Sequence, residues 1–307
     1  MKRHKICKII FAILAVFLCV AFYELIGICI TYKKQPAVSD ATIKETQNIM
    51  SVAGRENTER AVIIEKNSQA LLERVRLIQN AKDEIILSTF AFKSDESGKL
   101  ILGALHDAAD RGVHVRILVD GMESWIDMEG NPYFYGLSSH ENVEIKLYNK
   151  ANPLKPWKTM GRMHDKYLIA DGKIYILGGR NTYNYFLGDF PGHKNFDRDV
   201  LVVCDEPQKD NSVNQLWNYF ETIWEQEDCR YFHNSKKLAD RQSVKKAVLE
   251  LQEGYQQYFE VNKEKICDTD YADETFETEK ITLLSNPIHT QAKEPVVWYQ
   301  LLSLIHI

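Results

Sequence analysis

The stretch IIFAILAVFLCVAFYELIGICI, Ile9 to Ile30, holds 22 residues and one charge, Glu24. Nothing else in the chain restricts its fold as tightly. A backbone inside a bilayer must satisfy its own N–H and C=O groups, so a single apolar run there has to be helical, and about 20 residues suffice to cross. The apolar core of a cleaved leader is shorter, about 7–15 residues. The run is therefore read as an N-terminal transmembrane helix, with Ala37-Val38-Ser39 as a poor cleavage site. Lys2, Arg3, Lys5 and Lys8 precede it, and Lys33 and Lys34 follow. The larger positive count keeps the N-terminal end in the cytoplasm. The expected location is a cell membrane, single-pass, with an extracytoplasmic body.

That body is ordinary in composition. Of 307 residues, 45% are hydrophobic and 26% charged, enough for a packed core. The net charge of -5 gives no support to a nucleic-acid partner. Six cysteines occur without a CxxC pair and without Cys/His spacing suited to zinc, so no metal and no cofactor are expected. A disulfide between two of Cys204, Cys229 and Cys267 stays open.

Helical and strand periods alternate from residue 68. Leu71, Val75 and Ile78 share a helical face in Ser68–Lys82, and Ile101, Leu105 and Ala108 do so in Lys99–Gly112. Glu84–Phe92, Val113–Gly121, Asn142–Tyr148 and Asp197–Asp205 read as strands. Val213–Gln226 is an amphipathic helix, and a long polar helical stretch follows from about Ser235 to Asp273. Helix and strand in turn imply an α/β fold with a mixed, largely parallel β-sheet flanked by helices. Trp125, Tyr133, Phe134 and Tyr135 read as an exposed aromatic segment. His106 and His114 read as scaffold residues.

HDKYLIA and KIYILGG flank Asp171-Gly172, a two-residue hairpin signal. Alternation puts His164, Lys166 and Leu168 on one face of the first strand and Asp165, Tyr167 and Ile169 on the other. An imidazole and an ammonium on one half-buried face are unfavourable unless an anion meets them. A phosphate meets that need. Lysine offers charge and donors, and histidine can attack phosphorus or carry a proton near neutral pH. The next loop, Gly178-Gly179-Arg180-Asn181, adds close backbone approach and an amide donor.

His164-Asp165-Lys166, Asp171 five residues on, then Gly178-Gly179-Arg180-Asn181, and Arg198-Asp199 opening the next strand, together resemble the phospholipase D superfamily signature. With the N-terminal anchor, the layout most resembles its cardiolipin synthase branch. The resemblance covers about Ala61 to Gln226 and implies a phospholipase D-like half-domain. It makes His164 the nucleophile of a phosphohistidine intermediate. It makes Lys166, Gly179 and Asn181 the phosphate-binding residues. Asp199 is the carboxylate that orients His164, with Asp197 as the alternative, and Asp171 has a supporting role. It implies a phosphatidyltransferase acting on a phospholipid, phosphatidylglycerol above all. A hydrolytic phospholipase D and a nuclease of the superfamily are the alternatives.

Domain boundaries follow: 1–34 anchor, 35–60 juxtamembrane spacer, 61–233 first phospholipase D-like domain, 234–279 helical linker, and 280–307 the start of a second such domain. The family uses paired HxK motifs, and this chain has one. The second half is expected from a longer full-length protein or from a homodimer partner.

Overall fold

The computed structural model describes residues 2–33, 40, 44 and 59–285, except 151, 159, 160, 208–210, 280 and 284. The segment expected to open a second domain, and most of the expected spacer, lie outside the described residues. Two compact units are present. In the first, α1 (Lys2–Lys33) is one unbroken helix, and His4–Gly27 within it is long and apolar enough to cross a membrane.

The second unit holds the sheet. Its strands are β1 (Glu59–Ile64), β2 (Glu84–Thr89), β3 (His114–Asp120), β4 (Val143–Tyr148), β5 (Tyr167–Ala170), β6 (Ile174–Gly178), β7 (Asp199–Cys204), β8 (Cys229–Tyr231) and β9 (Phe276–Glu277). Their order across the sheet is β8-β4-β3-β2-β5-β6-β7-β1-β9. Only β2–β3 and β3–β4 pair in parallel. The other joins are antiparallel, so the sheet is mixed but less parallel than the alternation of elements implied. Hairpin-linked strands β5 and β6 and their neighbour β7 run up and down, and no helix separates them to turn the chain back.

Helices α2 (Asn67–Asn80), α3 (Glu96–Asp110), α5 (Pro132–Ser138) and α8 (Gln242–Cys267) cover one face. Val75, Ile78, Ile101, Leu105 and Leu251 meet Ile117, Leu168, Ile176 and Leu201 in one core. Each such buried aliphatic side chain contributes about 1.5–3 kcal/mol. The residues read as a linker thus carry α7 (Lys236–Ala239) and α8, and α8 buries Val244, Ala247, Leu251 and Tyr255. On the reverse face, α6 (Ser212–Trp224) buries Leu216, Phe220 and Ile223. Its Phe220 ring stands edge-on to Tyr167, 6.5 Å between centroids.

One expectation changes here, and one open question closes. Phe134 and Tyr135 are buried, because α5 is sandwiched by α8, and only Trp125 of that aromatic group is largely exposed. Cys204, Cys229 and Cys267 are free thiols, the first two buried and the third exposed.

The short helix α4 (Gly121–Asp127) is started by Asp120. The Asp120 Oδ1 accepts from the Met122 and Glu123 N–H groups, and its Oδ2 accepts from the Met163 N–H at 3.2 Å. One carboxylate thus both caps α4 and ties the end of β3 to the residue before His164.

Candidate active site

Five chain passages meet at one end of the sheet: the exit of β2, the exit of β3, the entry to β5, the exit of β6 and the entry to β7. His164 and Lys166 enter there, on the face that Leu168 shares with the helical core. Lys166 is 4% exposed, whereas His164 is exposed. The Lys166 Nζ donates to the His164 main-chain carbonyl at 2.6 Å. Both groups flank Phe90. The imidazole stands edge-on to its ring at 4.8 Å between centroids, and the ammonium lies 5.4 Å from its centroid. An ammonium has three donors. Two of those on Lys166 have no acceptor among the described residues, and neither nitrogen of the His164 ring has a partner there.

Burial lowers the Lys166 pKa to about 8, against the opposing pull of the Asp165 and Asp197 charges. Burial, and then the Lys166 charge, also lowers the His164 pKa. The pair therefore presents a neutral imidazole beside an ammonium at neutral pH.

The loop after β6 is laced to the chain after β2. The Thr182 N–H donates to the Ala91 carbonyl, and the Lys93 N–H donates to Thr182. Asn181 Oδ1 accepts the Ala91 N–H at 3.2 Å, which fixes the amide's orientation. Its NH2 group keeps two donors without an acceptor among the described residues.

Two assigned roles differ from this geometry. Gly179 does not offer its N–H to a ligand, because that group donates to the Arg198 carbonyl. Its missing side chain is what matters: a Cβ there would collide with the Asp197 carboxylate. Asp199 does not hold the His164 ring. It is 2% exposed, and its Oδ2 accepts from Arg74 Nη1 at 2.9 Å and pairs with Arg180 Nη1 at 3.3 Å. Asp199 sits opposite Gly178 in the ladder, so its carboxylate falls beneath α2. Asp197, the alternative, lies against Gly179 and acts on Lys166 through its charge.

Asp171 is at the far end of the hairpin. The loop closes over three residues, Asp171 to Lys173, not two, with Asp171 and Gly172 both left-handed. Its carboxylate accepts from the N–H groups of Lys82, Asp83 and Glu84, at 2.8–3.0 Å for the shortest bond to each. That clamps the hairpin to the start of β2. Asp171→Ala is expected to cost about 1–3 kcal/mol in unfolding experiments, since three aligned donors lose a charged acceptor. The pH dependence of any activity should be unchanged; a shifted profile would return Asp171 to the chemistry.

Arg180 escaped sequence reasoning, which treated it as a spacer between Gly179 and Asn181. It is 1% exposed and donates to Asn67 Oδ1, the Ile64 carbonyl and the Glu65 carbonyl at 2.6–3.1 Å. No group of three or more His, Cys, Asp or Glu side chains suited to a metal ion occurs among the described residues.

Residues 75–224 match the family described as cardiolipin synthase, PLD-like domain. A Helicobacter pylori (strain ATCC 700392 / 26695) protein described as uncharacterized is 33% identical over 181 residues, 54% of this chain and 35% of its own length. Cardiolipin synthase C of Escherichia coli K12 is 29% identical over 154 residues, 46% of this chain and 31% of its own. Cardiolipin synthase 1 of Staphylococcus aureus MRSA252 is 35% identical over 112 residues, 36% and 22% respectively. The chain thus spans about a third or less of the length of these curated relatives. Among solved structures, phosphatidylserine synthase of Haemophilus influenzae Rd KW20 superposes with a TM-score of 0.48 at 15% identity, covering 71% of this chain and 48% of that one. Residues 75–224, which hold His164, Lys166, Asn181, Asp197 and Asp199, carry a phospholipase D-like domain of the cardiolipin synthase type.

Proposed function

We propose that this chain bears the nucleophile of a membrane phosphatidyltransferase that joins phosphatidylglycerol units into cardiolipin. One observation carries the reading: an imidazole without a hydrogen-bond partner among the described residues and a buried ammonium with two donors unused there flank the same aromatic ring. A His164 ring nitrogen attacks the lipid phosphorus. The N–P bond forms, the P–O bond to the headgroup alcohol breaks, and that oxygen leaves with a proton from a second acid. The hydroxyl of an acceptor lipid then attacks phosphorus and returns its proton to that second group, and the N–P bond breaks. Splitting the displacement in two lowers each barrier. The Lys166 ammonium and the Asn181 NH2 hold the nonbridging oxygens as charge grows on them. The second acid comes from a further HxK motif, carried by a longer chain or by a homodimer partner. The apolar α1 holds the site at a membrane, with the body on the extracytoplasmic side.

Hydrolysis differs only in the acceptor, with water replacing the alcohol. Phosphatidylglycerol vesicles carrying the full chain, in chelator, separate the outcomes. Cardiolipin supports the transferase, phosphatidic acid the hydrolase. Cleavage of DNA with no lipid turnover would move the site to the nuclease branch.

The pH profile has a defined shape. Lys166 loses its proton as pH rises through about 8, so phosphate binding and turnover should fall on that side. The depressed His164 pKa keeps the attacking form neutral below the ordinary histidine midpoint, so the acid limb lies under about 6.5. A rate still climbing at pH 9 would contradict the ammonium's role.

A further inference from the structure

Asp165 stands between His164 and Lys166 in the chain but points through to the reverse face of the sheet. There the Tyr219 hydroxyl of α6 donates to its Oδ2 at 2.8 Å. We infer that Tyr219 is a positioning residue. By bonding Asp165 from behind the sheet, it keeps a carboxylate under Lys166, and that carboxylate keeps the ammonium protonated beside His164. The inference rests on the reading of Lys166 as the phosphate-holding group.

The physical need is clear from the burial. Lys166 is 4% exposed and has a single carbonyl acceptor, too little for a desolvated ammonium. The groups that face it are His164, Asp197 and Asp165. Asp197 lies on the side of the sheet where the phosphate must arrive, so its charge supports Lys166 but opposes the ligand. Asp165 supports the ammonium from the opposite face, with the strand backbone between it and the incoming anion. A counter-ion behind the donor stabilises the cation at less cost to anion binding, because Coulomb repulsion falls with distance.

Asp165 in turn needs help to stay ionised, since burial pushes its pKa up. Lys166 and the Tyr219 hydrogen bond oppose that push. The other groups that feel its charge are Tyr167 of β5 and Tyr148 of β4. Among the described residues the Tyr167 hydroxyl makes no hydrogen bond to Asp165, and Tyr219 is the one hydrogen-bond donor to that carboxylate. Burial and the Asp165 charge keep the Tyr219 proton in place well above the ordinary tyrosine range, so it remains a donor throughout the working pH range. Its ring is held near Tyr167 at 6.5 Å between centroids, a packing that phenylalanine preserves.

The test reads the Lys166 amine directly. The full chain in detergent micelles is pulse-labelled with acetic anhydride across pH 6–11, and peptide mass spectrometry follows Lys166 against exposed Lys246 as the internal standard. Wild type should reach half-labelling near the value of about 8 that burial sets. Asp165→Asn should lower that midpoint by about one pH unit, the effect of removing a nearby opposite charge. Tyr219→Phe should lower it in the same direction. The double variant should match Asp165→Asn alone, because both act through one carboxylate. An unmoved midpoint in Asp165→Asn overturns the inference. So does a normal midpoint in a folded Tyr219→Phe protein, or full additivity in the double variant. If Tyr219→Phe unfolds early in a thermal scan, Asp165→Asn decides, since it retains the tyrosine. The labelling requires no turnover. It can therefore fail while His164→Ala still abolishes lipid chemistry, and it can succeed if that chemistry proves different.

Discussion

His164→Ala is expected to remove lipid turnover by about 10⁴-fold or more while leaving the stability of the protein close to that of wild type. The size follows from deleting a covalent nucleophile, which leaves only binding and electrostatic stabilisation to act. The small change in stability follows from the surroundings of the ring. It is exposed, and its one described side-chain contact beyond Lys166 is the edge-on packing with Phe90. Such an aromatic pair contributes about 0.5–1.5 kcal/mol, which bounds the cost of removing the ring. Thermal unfolding and headgroup release, measured on one preparation, check both halves. Turnover within tenfold of wild type would end the phosphohistidine proposal.

Asp199→Ala should do the reverse: a large loss of stability, with activity falling because the fold does. Arg74 and Arg180 both point at Asp199, with side-chain exposures of 5% and 0%. Removing the carboxylate leaves two buried guanidinium groups without their shared counter-charge. Breaking a buried pair in this way costs about 3–5 kcal/mol. Typical domains have only about 5–15 kcal/mol in total. The melting temperature of a domain this size should fall by roughly 6–20 °C. Asp199→Asn retains the shape and removes the charge, and it should be destabilised too. If Asp199→Asn instead melted like wild type but turned over slowly with a shifted pH profile, Asp199 would be the histidine's orienting carboxylate after all.

These two variants separate positions that the bare motif groups together. His164, Lys166, Asp171 and Asp199 all belong to one motif when read along the chain, with Asp171 in a supporting role. In three dimensions only the first two come together, on either side of Phe90. Asp171 serves the start of β2 at the other end of the hairpin, and Asp199 serves α2 and the loop after β6. Asp197, two residues before Asp199 on the same side of the chain, has the contact with Gly179 and the influence on Lys166. Substitution at 197 therefore belongs with the pH profile, and substitution at 199 with the melting curve.

Local pattern alone determined a good deal. The apolar run from Ile9 to Ile30 reads as helical because 22 such residues could cross a membrane only as a helix, and α1 is one helix across it. The periodicities of α2, α3, α6 and the edge-to-edge alternation in β5 were legible because they repeat within a few residues. The His164 and Lys166 face was legible for the same reason. Strand order was not. Antiparallel β5, β6 and β7 join the parallel β2–β3–β4 set through β2–β5, a contact some eighty residues apart in the chain. The partners of the buried charges were equally hidden. Arg74 and Asp199 lie 125 positions apart, and only the register that sets Asp199 opposite Gly178 brings them together. A charge pair depends on where two side chains meet in space, and no short-range period encodes that meeting. Tertiary packing decided which carboxylate holds the fold, which one faces Lys166, and that Tyr219 reaches Asp165 from the far side of the sheet.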